Sequence, residues 1–117
     1  MKKIEAIIRT SKFEEVKDAL REVGIDFFSY WDATGVGNEI HKGELSYRGT
    51  VYDTSYISRQ LLTIVVRDIN VQKTVDAILK SAKTGEIGDG KIFVSPLEES
   101  YRIRNGDKGD ISLYNKD

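Results

Sequence analysis

The 117-residue chain contains no cysteine. That excludes a disulfide framework and any thiolate metal site. Histidine occurs once, at His41, so no second imidazole exists to complete a familiar metal site. No apolar run approaches the roughly 20 residues that a membrane-spanning helix needs. The N-terminal lysines are not followed by the long apolar stretch of a signal peptide. A soluble, intracellular protein without direct membrane insertion is therefore expected. Lys plus Arg number 18 and Asp plus Glu 19, a formal charge of −1. This lack of basic excess argues against a general nucleic-acid binder. Serines are present, yet no Gly-x-Ser-x-Gly elbow or Ser-His-Asp arrangement accompanies them. No catalytic residue and no metal site are expected.

What the chain does have is a glycine-rich segment, Thr84-Gly85-Glu86-Ile87-Gly88-Asp89-Gly90-Lys91, directly before the apolar run Ile92-Phe93-Val94. Glycines let a backbone approach a ligand closely, and their amides can cradle phosphate oxygens. Lys91 adds a point charge. Arg102 and Arg104 fall on one side of an extended segment and add planar forks suited to phosphate. These residues describe an anion site of the kind that takes a nucleotide. It is not a P-loop, because Ile92 follows the lysine where Ser or Thr would be required. Asp89 sits between two glycines, where its natural role is turn formation.

Hydrophobic periodicity gives the remaining organisation. Lys3 to Arg9 reads as a strand with Ile4, Ala6 and Ile8 on one face and Ile7 on the other. Ser11-Lys12-Phe13-Glu14 reads as a capping box. Phe13, Val16, Ala19, Leu20 and Val23 follow at helical spacing, with Gly24 as the stop. Phe27 to Thr34 and Leu61 to Val66 read as strands. Val71, Val75, Ile78 and Ala82 mark a second helix, and Ile92 to Val94 a fourth strand ended by Pro96. The order predicts an α+β ferredoxin-like βαββαβ sandwich. Ile7, Phe27, Trp31, Leu61, Val65 and Phe93 would form a second apolar sheet face, which predicts self-association. Residues 35–58 carry glycines, polar residues and three tyrosines, the composition of an interaction loop. The tail 107–117 is polar and is expected to be partly disordered.

The motif TGEIGDGKIFV followed by YRIRNG resembles the B-loop and C-loop of the PII signal-transduction family. MKKIEAIIRTSKFEEVKDALREVGI resembles its opening strand and helix. Gly35-Val36-Gly37 and Tyr47-Arg48-Gly49 through Tyr52 resemble the two ends of its long T-loop, here about residues 36–57. The resemblance implies one domain over residues 1–106, a homotrimer with the sheets facing inward, and a cytoplasmic protein reaching the membrane only through a transporter. It implies a nitrogen-regulatory sensor of ATP or ADP, compatible with Mg²⁺. Gly37, Val65, Gly88, Asp89, Gly90 and Lys91, with Arg102 and Arg104 from a neighbouring subunit, match the nucleotide site. Tyr47, Arg48 and Tyr52 match partner-docking positions. Arg48 matches the arginine that enters an ammonium transporter, and Tyr52 matches a uridylylation site.

The chain departs from the family pattern at the loop base. Asn38-Glu39 stand where Arg-Gln is usual, and Arg59 replaces a lysine that helps hold 2-oxoglutarate. A carboxylate at Glu39 repels a dianion at close range. Weak or no 2-oxoglutarate binding is therefore expected. Thr63 replaces a glutamate that pairs with the B-loop lysine. A second reading follows from these departures: a PII-like variant that senses another effector and regulates a different membrane transporter or enzyme. A ferredoxin-like RNA binder would need an aromatic strand motif that is absent here.

Overall fold

The computed structural model describes residues 1–36, 46–47, 50–51 and 56–113. Strand β1 runs Lys2–Arg9, and helix α1 Phe13–Glu22. Strand β2 runs Ser29–Val36, followed by the two-residue strands β3, Ser46–Tyr47, and β4, Thr50–Val51, which pair with each other. Strand β5 is Tyr56–Val66, helix α2 Val71–Ala82 and strand β6 Gly90–Pro96. The four long strands form one antiparallel sheet in the order β2-β5-β1-β6. Interior strands β1 and β5 are thus flanked by the edges β2 and β6. This is the expected ferredoxin-like α+β architecture.

Burial explains the layering. Ile4, Ala6 and Ile8 of β1 and Leu62, Ile64 and Val66 of β5 project toward the helices and are buried. They meet Val16 and Leu20 of α1 and Ile78 and Ala82 of α2 in one core. Burying each such large side chain contributes about 1.5–3 kcal/mol. Thr74 is also fully buried, and its hydroxyl donates to the Asn70 carbonyl at 2.7 Å, so no polar group is left unmatched there.

The ends of α1 differ in how well local signals describe them. At the C-terminus, the Gly24 N–H donates to Arg21 O and the Ile25 N–H to Leu20 O, with Gly24 at φ 86°. This is a Schellman closure, and buried Ile25 secures it. At the N-terminus the expected capping box does not form. Thr10–Lys12 make a 3₁₀ turn, so the helix begins at Phe13 and its cap position falls on Lys12, without a side-chain capping bond. Glu14 and Glu15 in the first turn still complement the helix dipole.

The opposite sheet face carries Trp31, Leu61, Ile7 and Lys91 in one register row. Trp31 is 52% exposed and Phe93 50% exposed. Phe27, expected in the strand, precedes it and is exposed. Residues 107–113, expected to belong to a loose tail, fold back. The Gly109 N–H donates to Ser100 O, and the Ser112 hydroxyl to the Ser100 hydroxyl at 2.7 Å. Gly106 and Gly109, both at positive φ, make that reversal possible.

Candidate functional site

The glycine-rich loop between α2 and β6 is built around Asp89. Its carboxylate accepts bonds from the Thr84 N–H at 2.8 Å, the Gly85 N–H at 2.8 Å, the Thr84 hydroxyl and Arg9 Nε at 2.9 Å. The Thr84 hydroxyl, then Arg9, then the two amides hold the carboxyl well below the usual carboxylate range. Asp89 is therefore ionised and bound inward, as the turn-forming expectation requires. Arg9 Nη2 also donates to the Ile87 carbonyl at 3.0 Å. Arg59 Nη2 reaches the Gly88 carbonyl at 2.9 Å, and its Nη1 the Ser58 carbonyl at 3.0 Å. Two arginines from neighbouring strands thus clamp the loop by its carbonyls.

Gly90 is required by contact as well as by its φ of 106°. A Cβ there would lie 1.7 Å from the Ile7 carbonyl oxygen. The loop consequently sits against β1 and faces a cleft of about 490 Å³. Gly88, Asp89, Gly90, Lys91 and Arg59 all border that cleft, together with Ile7, Gly35 and Val36. Five residues singled out from sequence are thus brought together. Ile7, Arg9, Gly35 and Val36 were not assigned to the site from sequence. Only the glycine before Val36 carried a local signal.

Gly37, Asn38, Glu39, His41, Arg48 and Tyr52 lie outside the described residues, and only the backbone of Tyr47 is described. Gly37 follows Val36, which borders the cleft.

Val65, Arg102 and Arg104 occupy the other end of the molecule. Strand β6 leaves the loop at Gly90, opposite Ile8, and ends at Pro96, opposite Lys2. Its 7 residues span about 20 Å at a strand rise of 3.3 Å. Arg102 lies beyond that end, so it does not meet Lys91 of the same chain. Val65 and Thr63 line a second cleft of about 420 Å³, which Phe28, Asn70, Ser112 and Leu113 help enclose. Arg102 Nη1 donates to Asp107 Oδ2 at 2.8 Å and Nη2 to the Ile111 carbonyl at 2.9 Å. Arg104 is exposed.

Among the described residues, no group of three or more His, Cys, Asp or Glu could hold a metal ion. None of the described helices is long and apolar enough to cross a membrane.

The sequence pattern of the family described as Nitrogen regulatory protein P-II matches residues 1–107. The chain belongs to the P-II family. A P-II protein of Bradyrhizobium diazoefficiens is 48% identical over 109 residues, covering 93% of this chain and 96% of that protein. One of Azospirillum brasilense is 48% identical over 113 residues, covering 97% and 100% respectively. One of Rhodospirillum rubrum is 44% identical over 113 residues, with the same coverage. P-II proteins are signalling proteins rather than enzymes, and the family as a whole binds nucleotides and acts on partner proteins in nitrogen regulation.

Proposed function

We propose that this P-II chain is a cytoplasmic, homotrimeric sensor of ATP and ADP that regulates an ammonium transporter through its T-loop. The observation that carries the reading is the preformed B-loop. Its amide-rich backbone is held by Arg9 and Arg59 against a cleft bordered by Lys91. Backbone nests of this kind bind phosphate without reorganising. In this reading Gly88, Gly90 and Lys91 take the phosphates, with Mg²⁺ as an optional companion, and Asp89 holds the loop in shape. Gly37 is proposed as a further nucleotide contact. Val65, Arg102 and Arg104 contribute from a second copy, because one chain keeps them at the far end of its sheet. The half-exposed Trp31 and Phe93 face supports self-association within the single domain 1–106.

Arg59 spends donors on main-chain carbonyls of Ser58 and Gly88. Arg59 thus helps hold the loop, and the carboxylate of Glu39 carries a charge that repels the 2-oxoglutarate dianion. We accordingly assign 2-oxoglutarate weak binding at most. Tyr47, Arg48 and Tyr52 are the proposed transporter contacts, with Tyr52 also a proposed modification site.

Calorimetry with ATP and ADP tests the nucleotide site. Charge-assisted contacts are worth about 1.5–3 kcal/mol, so Lys91→Ala should weaken ATP by about tenfold or more. Unchanged affinity would place the phosphates elsewhere.

A further inference from the structure

We propose that Asp107 is a positioning residue for Arg102, fixing the guanidinium at the cleft that holds Val65; the proposal rests on the nucleotide-binding reading above. The chain reverses tightly through residues 103–105, so Arg104 sits in a turn and not in the extended segment expected from sequence. The Gly106 N–H donates to Arg102 O, and the Arg102 N–H to Asp107 O, each at 2.7 Å. The Asp107 N–H donates to Asn105 Oδ1 at 3.0 Å, and Asn105 Nδ2 returns a bond to Asp107 Oδ2 at 3.1 Å. The backbone and the carboxylate of Asp107 are both fixed by local bonds. That same Oδ2 accepts from Arg102 Nη1 at 2.8 Å, while the Ile111 carbonyl accepts from Nη2 at 2.9 Å.

A guanidinium is a rigid planar fork, so acceptors on both terminal nitrogens fix its plane as well as its position. The segment that supplies them is itself anchored. Ser112 bonds to Ser100, and Asp110 lies 3.6 Å from Arg67. Ser112 and Leu113, directly after Ile111, line the cleft together with Thr63 and Val65. The C-terminal segment therefore builds one wall of that cleft, and the carbonyl of Ile111, next in the chain to that wall, holds the arginine.

Two effects of Asp107 oppose each other. Its acceptor oxygen holds Arg102 in place, which favours an incoming phosphate. Its negative charge repels that phosphate. Positioning dominates, because a flexible arginine must be ordered before it can grip an anion. An amide keeps the acceptor and loses the charge, so it separates the two.

The test is calorimetry with ATP and ADP on full-length variants. Asp107→Ala should weaken both nucleotides by about tenfold, within the range for coupled residues in one network. Asp107→Asn should restore affinity to the wild-type value or better. In an Arg102→Ala background, Asp107→Ala should have no further effect. An equal loss in that background would show that Asp107 only supports the fold of the segment, and would overturn the proposal. Tighter binding by Asp107→Ala would overturn it as well, by making the carboxylate a competitor. Relaxation of the Arg102 Nε–H by NMR gives a readout independent of nucleotide. It should report a rigid side chain in the wild type and a mobile one in Asp107→Ala. Equal rigidity in both overturns the proposal, whereas a rigid-to-mobile change in a chain that binds no ATP overturns only the nucleotide reading.

Discussion

Single residues decide the shape of the B-loop. At Gly90 a side chain would collide with the backbone of β1, and the Ile7 carbonyl cannot yield without breaking the sheet register. Gly90→Ala should therefore lower the melting temperature and abolish ATP binding together, which a thermal melt and calorimetry would register. Asp89 gives the loop a definite pH dependence. Its folded pKa is depressed by Thr84, Arg9 and the Gly85 amide. Its stabilisation is thus complete above the unfolded carboxyl value of about 3.9 and is lost progressively as pH falls below it. Melts from about pH 7 down to about pH 2.5 should show a steeper acid loss for wild type than for Asp89→Asn. Parallel curves would mean that Asp89 does not hold the loop. The glycines, Asp89 and Lys91 were legible because turn chemistry is local. Arg9 was not, because its partner lies 80 residues away and an arginine ending a strand looks like ordinary surface.

Elements were legible where an apolar stripe met a packed face. Strand β1 alternates as its sequence implies, and α2 begins at Val71 and ends at Ala82, as its periodic residues mark. The extent of β5 was not legible. Apolar patterning begins at Leu61, yet the strand begins at Tyr56. The extra residues, Tyr56 to Gln60, pair with Asp32 to Val36 of β2 and reach the cleft through Arg59. Of these side chains Arg59 borders the cleft, while Ser58 bonds to Thr10 and Gln60 to Asp32, so polar pairing replaces the apolar periodicity. The missing capping box has a similar cause: the 3₁₀ turn before α1 engages Ser11, and tertiary packing of Phe13 against Phe28 and Tyr30 fixes the helix start. The core should respond in the usual way. Leu20 is fully buried, and its carbonyl closes the Schellman motif. Leu20→Ala should cost about 2–5 kcal/mol. Urea unfolding at one fixed protein concentration is the proper measure, since the proposed self-association would also contribute to stability.

At the scale of the whole molecule, the sheet separates the two halves of the proposed site. Its length keeps Lys91 and Arg102 of one chain apart, while the row Trp31, Leu61, Ile7 and Lys91 offers a face for another copy. The family resemblance implied the sharing, and the strand register adds that β6 carries the chain away from Lys91 before Arg102 is reached. Sharing makes a prediction that a self-contained site does not. Lys91→Ala spoils the B-loop side of every site in a homotrimer, and Arg102→Ala spoils the C-loop side. Each variant alone should lose most of its ATP affinity. In a cyclic trimer containing both variants, however, one junction joins an intact B-loop to an intact C-loop. Roughly one site in three should then regain wild-type affinity. Co-expression with two different tags, tandem purification of the mixed species and calorimetry would count the restored sites. Trp31, the only tryptophan, offers a parallel fluorescence readout from the proposed interface. No restored site in a purified mixed trimer would mean that Lys91 and Arg102 do not act on one nucleotide, and the shared-site reading would fall with it.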